Sequence, residues 1–122
     1  MKKFFIILLC IFCFGGCSSG DSKQSDGLID YVEAKEKIIN EGAILIDVRT
    51  QDEYDAGHID GATLLTLDTI NETSVSDVVG SKEAVIIVYC RSGNRSHQAL
   101  EKLQELGYEN VYDLGAMSNW GE

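Results

Sequence analysis

Residues 85–98 read Val-Ile-Ile-Val-Tyr-Cys-Arg-Ser-Gly-Asn-Arg-Ser-His-Gln, and this order decides the fold. A β-branched apolar run closes at Cys90, a short loop carries Gly93 and two arginines, and a helical pattern opens at Ser96. A continuous apolar strand of this kind belongs to a sheet covered on both faces. In such sheets the ligand crevice lies beyond the carboxyl ends of the strands, which is where this pattern puts a thiol. Loop amides and the positive end of a helix favour an anion there, either a bound oxyanion or the thiolate itself.

On both sides of this stretch, strand and helix patterns alternate. Leu28–Tyr31 reads as a short edge strand, and Asp30 with Glu33 resembles a capping box for a helix through Ile38 and Ile39 that Glu41-Gly42 ends. Ala43–Val48 is an apolar strand broken only by Asp47, and Thr50 with Glu53 forms a second capping box opening a turn that stops near Gly57. Ala62–Leu67 reads as a third strand, Val75–Val79 as a short helix and Ala84–Tyr89 as the clearest strand. Ser96–Leu106 is an amphipathic helix with Ala99, Leu100, Leu103 and Leu106 on one face and Gly107 as its stop, and Asn110–Leu114 is the last strand. The alternation predicts an α/β fold with a mostly parallel central sheet of about five strands and helices on both faces.

The amino terminus reads differently. Lys2 and Lys3 precede an apolar run from Phe4 to Phe14, and Gly15-Gly16-Cys17 follows. The run is too short to span a bilayer, which takes about 20 residues. A basic start, a short apolar core and small residues together predict a secretory signal over residues 1–16. The Gly-Gly-Cys ending resembles the lipobox of bacterial lipoproteins, with Phe14 where an aliphatic residue is usual. That resemblance implies a lipid on Cys17 and an exported domain held at a membrane, facing the extracellular or periplasmic side. A plain cleaved signal with a free Cys17 is the alternative. Residues 17–27 form a polar tether with nothing to bury, and residues 28–122 form one small domain.

Processing changes both the cysteine count and the charge. Cys10 and Cys13 lie in the removed segment and Cys17 carries lipid, so Cys90 is left as the one free thiol. A lone thiol in an oxidising compartment asks for a chemical reason. The chain carries ten basic and twenty acidic residues, a formal charge of −10; loss of Lys2 and Lys3 with the signal leaves −12. That balance argues against nucleic acid as a partner and requires a local positive site for any anionic substrate.

The 90–96 loop offers such a site. A thiol attacks as thiolate, and a helix amino terminus or a nearby cation lowers its pKa. Arg91 and Arg95 supply cations, Gly93 lets successive amides converge, and Ser92 and Ser96 offer hydroxyl donors, with Ser96 doubling as helix cap. The bland alternative is a core cysteine followed by an ordinary basic loop.

Cys90-Arg91-Ser92-Gly93-Asn94-Arg95-Ser96 resembles the active-site loop of single-domain rhodaneses, the thiosulfate and persulfide sulfurtransferases. Asp47-Val48-Arg49, Glu53-Tyr54, Gly57-His58-Ile59 and Gly61-Ala62 resemble that family's second signature, and Gly115-Ala116-Met117 with Trp120 resembles its closing segment. Two departures stand out: Thr63-Leu64-Leu65 replaces the usual Asn-Ile-Pro, and Ala116 replaces a second glycine.

The resemblance implies that Cys90 takes sulfur from an anionic donor as a persulfide and passes it to cyanide or a thiol. It further implies that the amides of residues 91–96 hold the persulfide while Arg91 and Arg95 attract the donor. Asp47 and Arg49 lie near the loop by the same resemblance, and Arg49 pairs with Glu53. His58 is a structural histidine rather than a base, and Trp120 belongs to the core or the pocket rim. The domain is expected to be monomeric, and no metal or cofactor is implied. A catalytically silent binding module is the alternative. A cysteine phosphatase or arsenate reductase-like enzyme stands further off, because those loops place five residues between cysteine and arginine and this one places four.

Overall fold

The computed structural model describes residues 27–121. The expected signal, the lipidated Cys17 and the tether up to residue 26 lie outside the described residues. Helix α1 spans Tyr31–Glu41, strand β1 Ile44–Asp47, helix α2 Gln51–Ala56 and strand β2 Thr63–Leu64. A 3₁₀ turn at Leu67–Thr69 leads into helix α3, Glu72–Val79. Strand β3 is Ile86–Cys90, helix α4 Asn94–Glu105 and strand β4 Val111–Ala116, closed by a 3₁₀ turn at Met117–Asn119.

The sheet order is β2-β1-β3-β4, and every pairing is parallel. Central β3 is buried along its whole length, and its pleat sends alternate residues to opposite faces. Ile86, Val88 and Cys90 join Ile46, Val75, Leu100 and Leu103 in one core under α3 and α4. Ile87 and Tyr89 join Ala34, Leu45, Ile59 and Leu114 in a second core under α1, with Trp120 packed against it. Trp120 also meets Tyr31 edge to face, with ring centroids 4.9 Å apart.

Several boundaries shift, each for a visible reason. Among the described residues the sheet has four strands, because the expected edge strand at Leu28–Tyr31 reduces to one parallel bridge between Leu28 and Asp113. Asp30 takes the amide of Glu33 at 2.9 Å and turns the chain into α1 before a strand can extend. The Ala62–Leu67 strand shortens to two residues as the chain curls into the 3₁₀ turn, although Leu65 and Leu67 still donate to the carbonyls of Asp47 and Val48. Helix α4 begins at Asn94, two residues before the expected start. Gly93, at φ +104°, makes the turn out of β3 and is itself the N-cap, a position Ser96 does not occupy. Strand β4 runs on to Ala116 through a bulge between the Asp113 and Gly115 pairings.

Leu103 lies fully buried between α4 and the sheet. Leu103→Ala is expected to cost about 2–5 kcal/mol, measured by urea unfolding, through lost burial and the cavity left behind.

Candidate active site

Cys90 ends β3 on the α4 side with no solvent exposure. The chain then reverses through Gly93, so the first turn of α4 points its amides back at the sulfur. The amide of Gly93 lies 2.9 Å from Sγ and that of Ser96 3.3 Å. Burial is the largest single influence on the thiol and raises its pKa. The amides of Ser96, Gly93 and Ser92, with the nearby Ser96 hydroxyl, outweigh it and hold the pKa below the ordinary thiol value. Among the described residues, the amides of Asn94 and Arg95, in the first turn of α4, have no protein acceptor. The Ser96 hydroxyl donates to the Gly93 carbonyl at 3.1 Å and ties the loop to the helix.

β4 supports the loop from beneath. Cys90 is in register with Ala116, and a Cβ placed on Gly93 would lie 3.8 Å from the Cα of Gly115. The bulge that brings Gly115 there is held by Asp113, whose Oδ1 accepts the Gly115 amide at 2.8 Å. Burial pushes the Asp113 carboxyl above its ordinary range.

The arginines divide in a way that spacing alone did not reveal. Arg49 pairs with Asp47, not with Glu53: its Nη2 reaches Oδ2 at 2.7 Å and also donates to the Gly57 carbonyl at 2.7 Å. Glu53 instead takes Arg95 in a bidentate pair, at 2.8 and 3.1 Å, while its Oε1 accepts the amide and hydroxyl of Thr50. Arg95 therefore clips α4 to α2 and is not free to attract an anionic donor. Its guanidinium, first, and the Thr50 amide, second, lower the Glu53 pKa to about 2.

Arg91 is exposed and, among the described residues, makes no ion pair. It lines a cleft of about 560 Å³ together with Arg49, Glu53, Ala56, Gly57, Met117 and Ser118. Ser92 and Asn94 lie exposed on the loop surface.

Tyr89 was missed by the sequence reading. Its hydroxyl donates to Asp47 Oδ2 at 2.7 Å and accepts the Ile59 amide at 3.1 Å, while the Arg49 guanidinium lies 5.8 Å from its ring centroid. A buried tyrosine in an apolar run needs a partner for its hydroxyl, and that was the available signal. His58 is held outside the cleft: Nδ1 lies 2.9 Å from the Tyr54 carbonyl, and the two rings stack at 3.7 Å.

Two outcomes follow. Tyr89→Phe leaves the buried Ile59 amide without its acceptor and is expected to cost about 1–3 kcal/mol by urea unfolding. The Glu53–Arg95 clip has a depressed carboxyl pKa, so its contribution is present above the ordinary value of 4.5 and is lost as pH falls towards about 2. Acid titration of stability is therefore expected to show wild type ahead of Glu53→Gln at neutral pH, with the gap closing below pH 4.5.

Residues 30–122 match the family model of the Rhodanese-like domain. The chain is 33% identical over 93 residues to thiosulfate sulfurtransferase GlpE of Coxiella burnetii, covering 75% of this chain and 84% of that protein. It is 35% identical over 77 residues to the adenylyltransferase and sulfurtransferase uba4 of Ogataea parapolymorpha, covering 62% of this chain but only 19% of that larger protein. A solved structure described as a rhodanese with anions from E. coli superposes with a TM-score of 0.60 at 34% identity, covering 63% of this chain and 89% of that one. With the family match running over nearly all of the described residues, the chain belongs to the rhodanese-like domain family and is a sulfurtransferase of the rhodanese type.

Proposed function

We propose that the domain carries a sulfane sulfur on Cys90, from thiosulfate or a persulfide donor to cyanide or a thiol. The observation that carries this reading is the pair of amides on Sγ. They favour the thiolate at a buried position and leave the Asn94 and Arg95 amides for one more sulfur atom. In the first half-reaction the thiolate attacks the outer sulfur of thiosulfate. The S–S bond of the donor breaks, its electron pair leaves with sulfite, and a Cys90 persulfide remains. In the second, an acceptor takes the outer sulfur, and the electron pair of that S–S bond returns to Sγ.

Arg91, the cleft guanidinium that makes no ion pair among the described residues, supplies the attraction for the anionic donor. The four-residue gap from Cys90 to Arg95 supports sulfur over phosphate as cargo, as does the commitment of Arg95 to Glu53. Export and a lipid on Cys17 belong to the same proposal, supported by Lys2-Lys3, the apolar run and Gly15-Gly16-Cys17. A protein so placed acts on sulfur compounds outside the cytoplasm, and its domain works as a monomer.

Incubation with thiosulfate, followed by intact-mass measurement, is expected to add the mass of one sulfur atom to wild type and nothing to Cys90→Ser. The variant is also expected to lose thiosulfate:cyanide turnover by several orders of magnitude. Unchanged turnover in Cys90→Ser would remove Cys90 as the nucleophile.

A further inference from the structure

We propose that the outer face of α1 is a docking surface for the phospholipid membrane that the Cys17 anchor would reach. The proposal rests on the anchoring reading above and gives the domain a fixed seat on that membrane. All three exposed large hydrophobic side chains among the described residues fall in one short segment: Leu28, Val32 and Ile39, 61%, 64% and 72% exposed. Isolated apolar residues on a surface need no explanation, but these are not scattered. Val32 and Ile39 stand two helical turns apart in α1 and so lie on one face. Leu28 lies where the chain enters the domain, just before α1.

Around this stripe stand side chains that favour the boundary between lipid and water. Tyr31 and Trp120, both half-buried, meet edge to face beside it. Lys35, exposed between Val32 and Ile39 on the same face, places its ammonium 5.6 Å from the Tyr31 ring centroid and 5.9 Å from that of Trp120. Tyrosine and tryptophan rings settle at headgroup depth, and a lysine among apolar side chains can send its charge back to the water. Helix α1 is about 16 Å long by its rise, so it can lie in the interface but not cross it. Exposed Glu36 borders the stripe and, with a chain charge of −10, disfavours anionic headgroups. The occupant that fits is a zwitterionic lipid surface, held by apolar contact rather than by charge.

The connectivity of the chain brings this face to a membrane. The peptide steps from Cys17 to Gly27 reach at most about 35 Å. A lipid on Cys17 thus holds Leu28 and the start of α1 close to the bilayer and raises the effective concentration of lipid around the stripe. Under that constraint a weak apolar contact is enough to orient the domain. Met117, which lines the cleft, shortly precedes Trp120 in the chain, so the docked face ends beside the cleft.

Trp120 is the only tryptophan of the chain and serves as the reporter. The full chain, made in a bacterial host and purified in detergent, is reconstituted into phosphatidylcholine vesicles with and without bromine on the upper acyl-chain carbons. Wild type is expected to float with the vesicles and to lose about half or more of its Trp120 emission to the brominated lipid. In Val32→Glu/Ile39→Glu, flotation is expected to persist while the ratio of docked to undocked domain, read from the quenching, falls about tenfold or more. Both positions are exposed and outside the cleft lining, so the variant's thiosulfate:cyanide turnover is expected to match wild type, which reports that it is folded. Wild type that floats with Trp120 unquenched, or quenching that survives the double substitution, would overturn the docking face. So would a Trp120 signal that follows the number of chains per vesicle and not the bromine, which assigns the face to a second copy. Failure to float would overturn the anchoring reading, and the docking face with it.

Discussion

Two backbone amides aimed at one sulfur are the constraint to which the rest of this structure answers. A thiolate without solvent is costly, and among the described residues no side-chain cation hydrogen-bonds to it to offset the cost. Compensation comes from peptide dipoles, which work only while α4 stays aimed at the end of β3. The supports converge on that aim. Gly93 makes the turn, β4 bulges at Asp113 to let Gly115 pass close beneath the loop, and Glu53 grips Arg95 from α2. Sheet, bulge and clip each hold a different side of the same short loop.

Much of this was legible in the order of residues, because local rules were left undisturbed by tertiary packing. The apolar run into Cys90, the amphipathic face of α4 and the Thr50–Glu53 capping box each depend on near neighbours in the chain, and each appears in the fold. The parallel sheet followed from strand–helix alternation. The choice of ion-pair partner was not legible. Arg49 lies two residues from Asp47 and four from Glu53, and Arg95 lies 42 residues from Glu53, so only the meeting of α2 with α4 decides who pairs with whom. Tyr89 escaped for a similar reason: its two partners come from β1 and the loop after α2. The edge strand failed because a capping aspartate competed for the same residues and turned the chain first.

Positive charge at the site is also apportioned differently from its appearance in the sequence. Three arginines lie on the cleft or the loop after Cys90, but two of them brace the scaffold against carboxylates. Buried or half-buried guanidinium groups serve well in that role because they stay charged and present several donors in fixed geometry. Arg91, the remaining one, sits at the surface, where its charge can be offered to a ligand. A single basic loop therefore combines rigidity and recognition by giving each arginine one task.

The alternation of β3 has a consequence for how the chain finds its fold. Ile86, Ile87 and Val88 are nearly interchangeable, so a slip of one residue in pairing would still bury apolar side chains on both faces. What tells the two registers apart is the last pair, Tyr89 and Cys90. In the slipped strand the phenol would enter the apolar core under α4, losing both hydrogen bonds, and the thiol would face the opposite side of the sheet. The hydroxyl that props Asp47 thus also proofreads the strand, and misregistered chains are penalised at the position that would have misplaced the nucleophile.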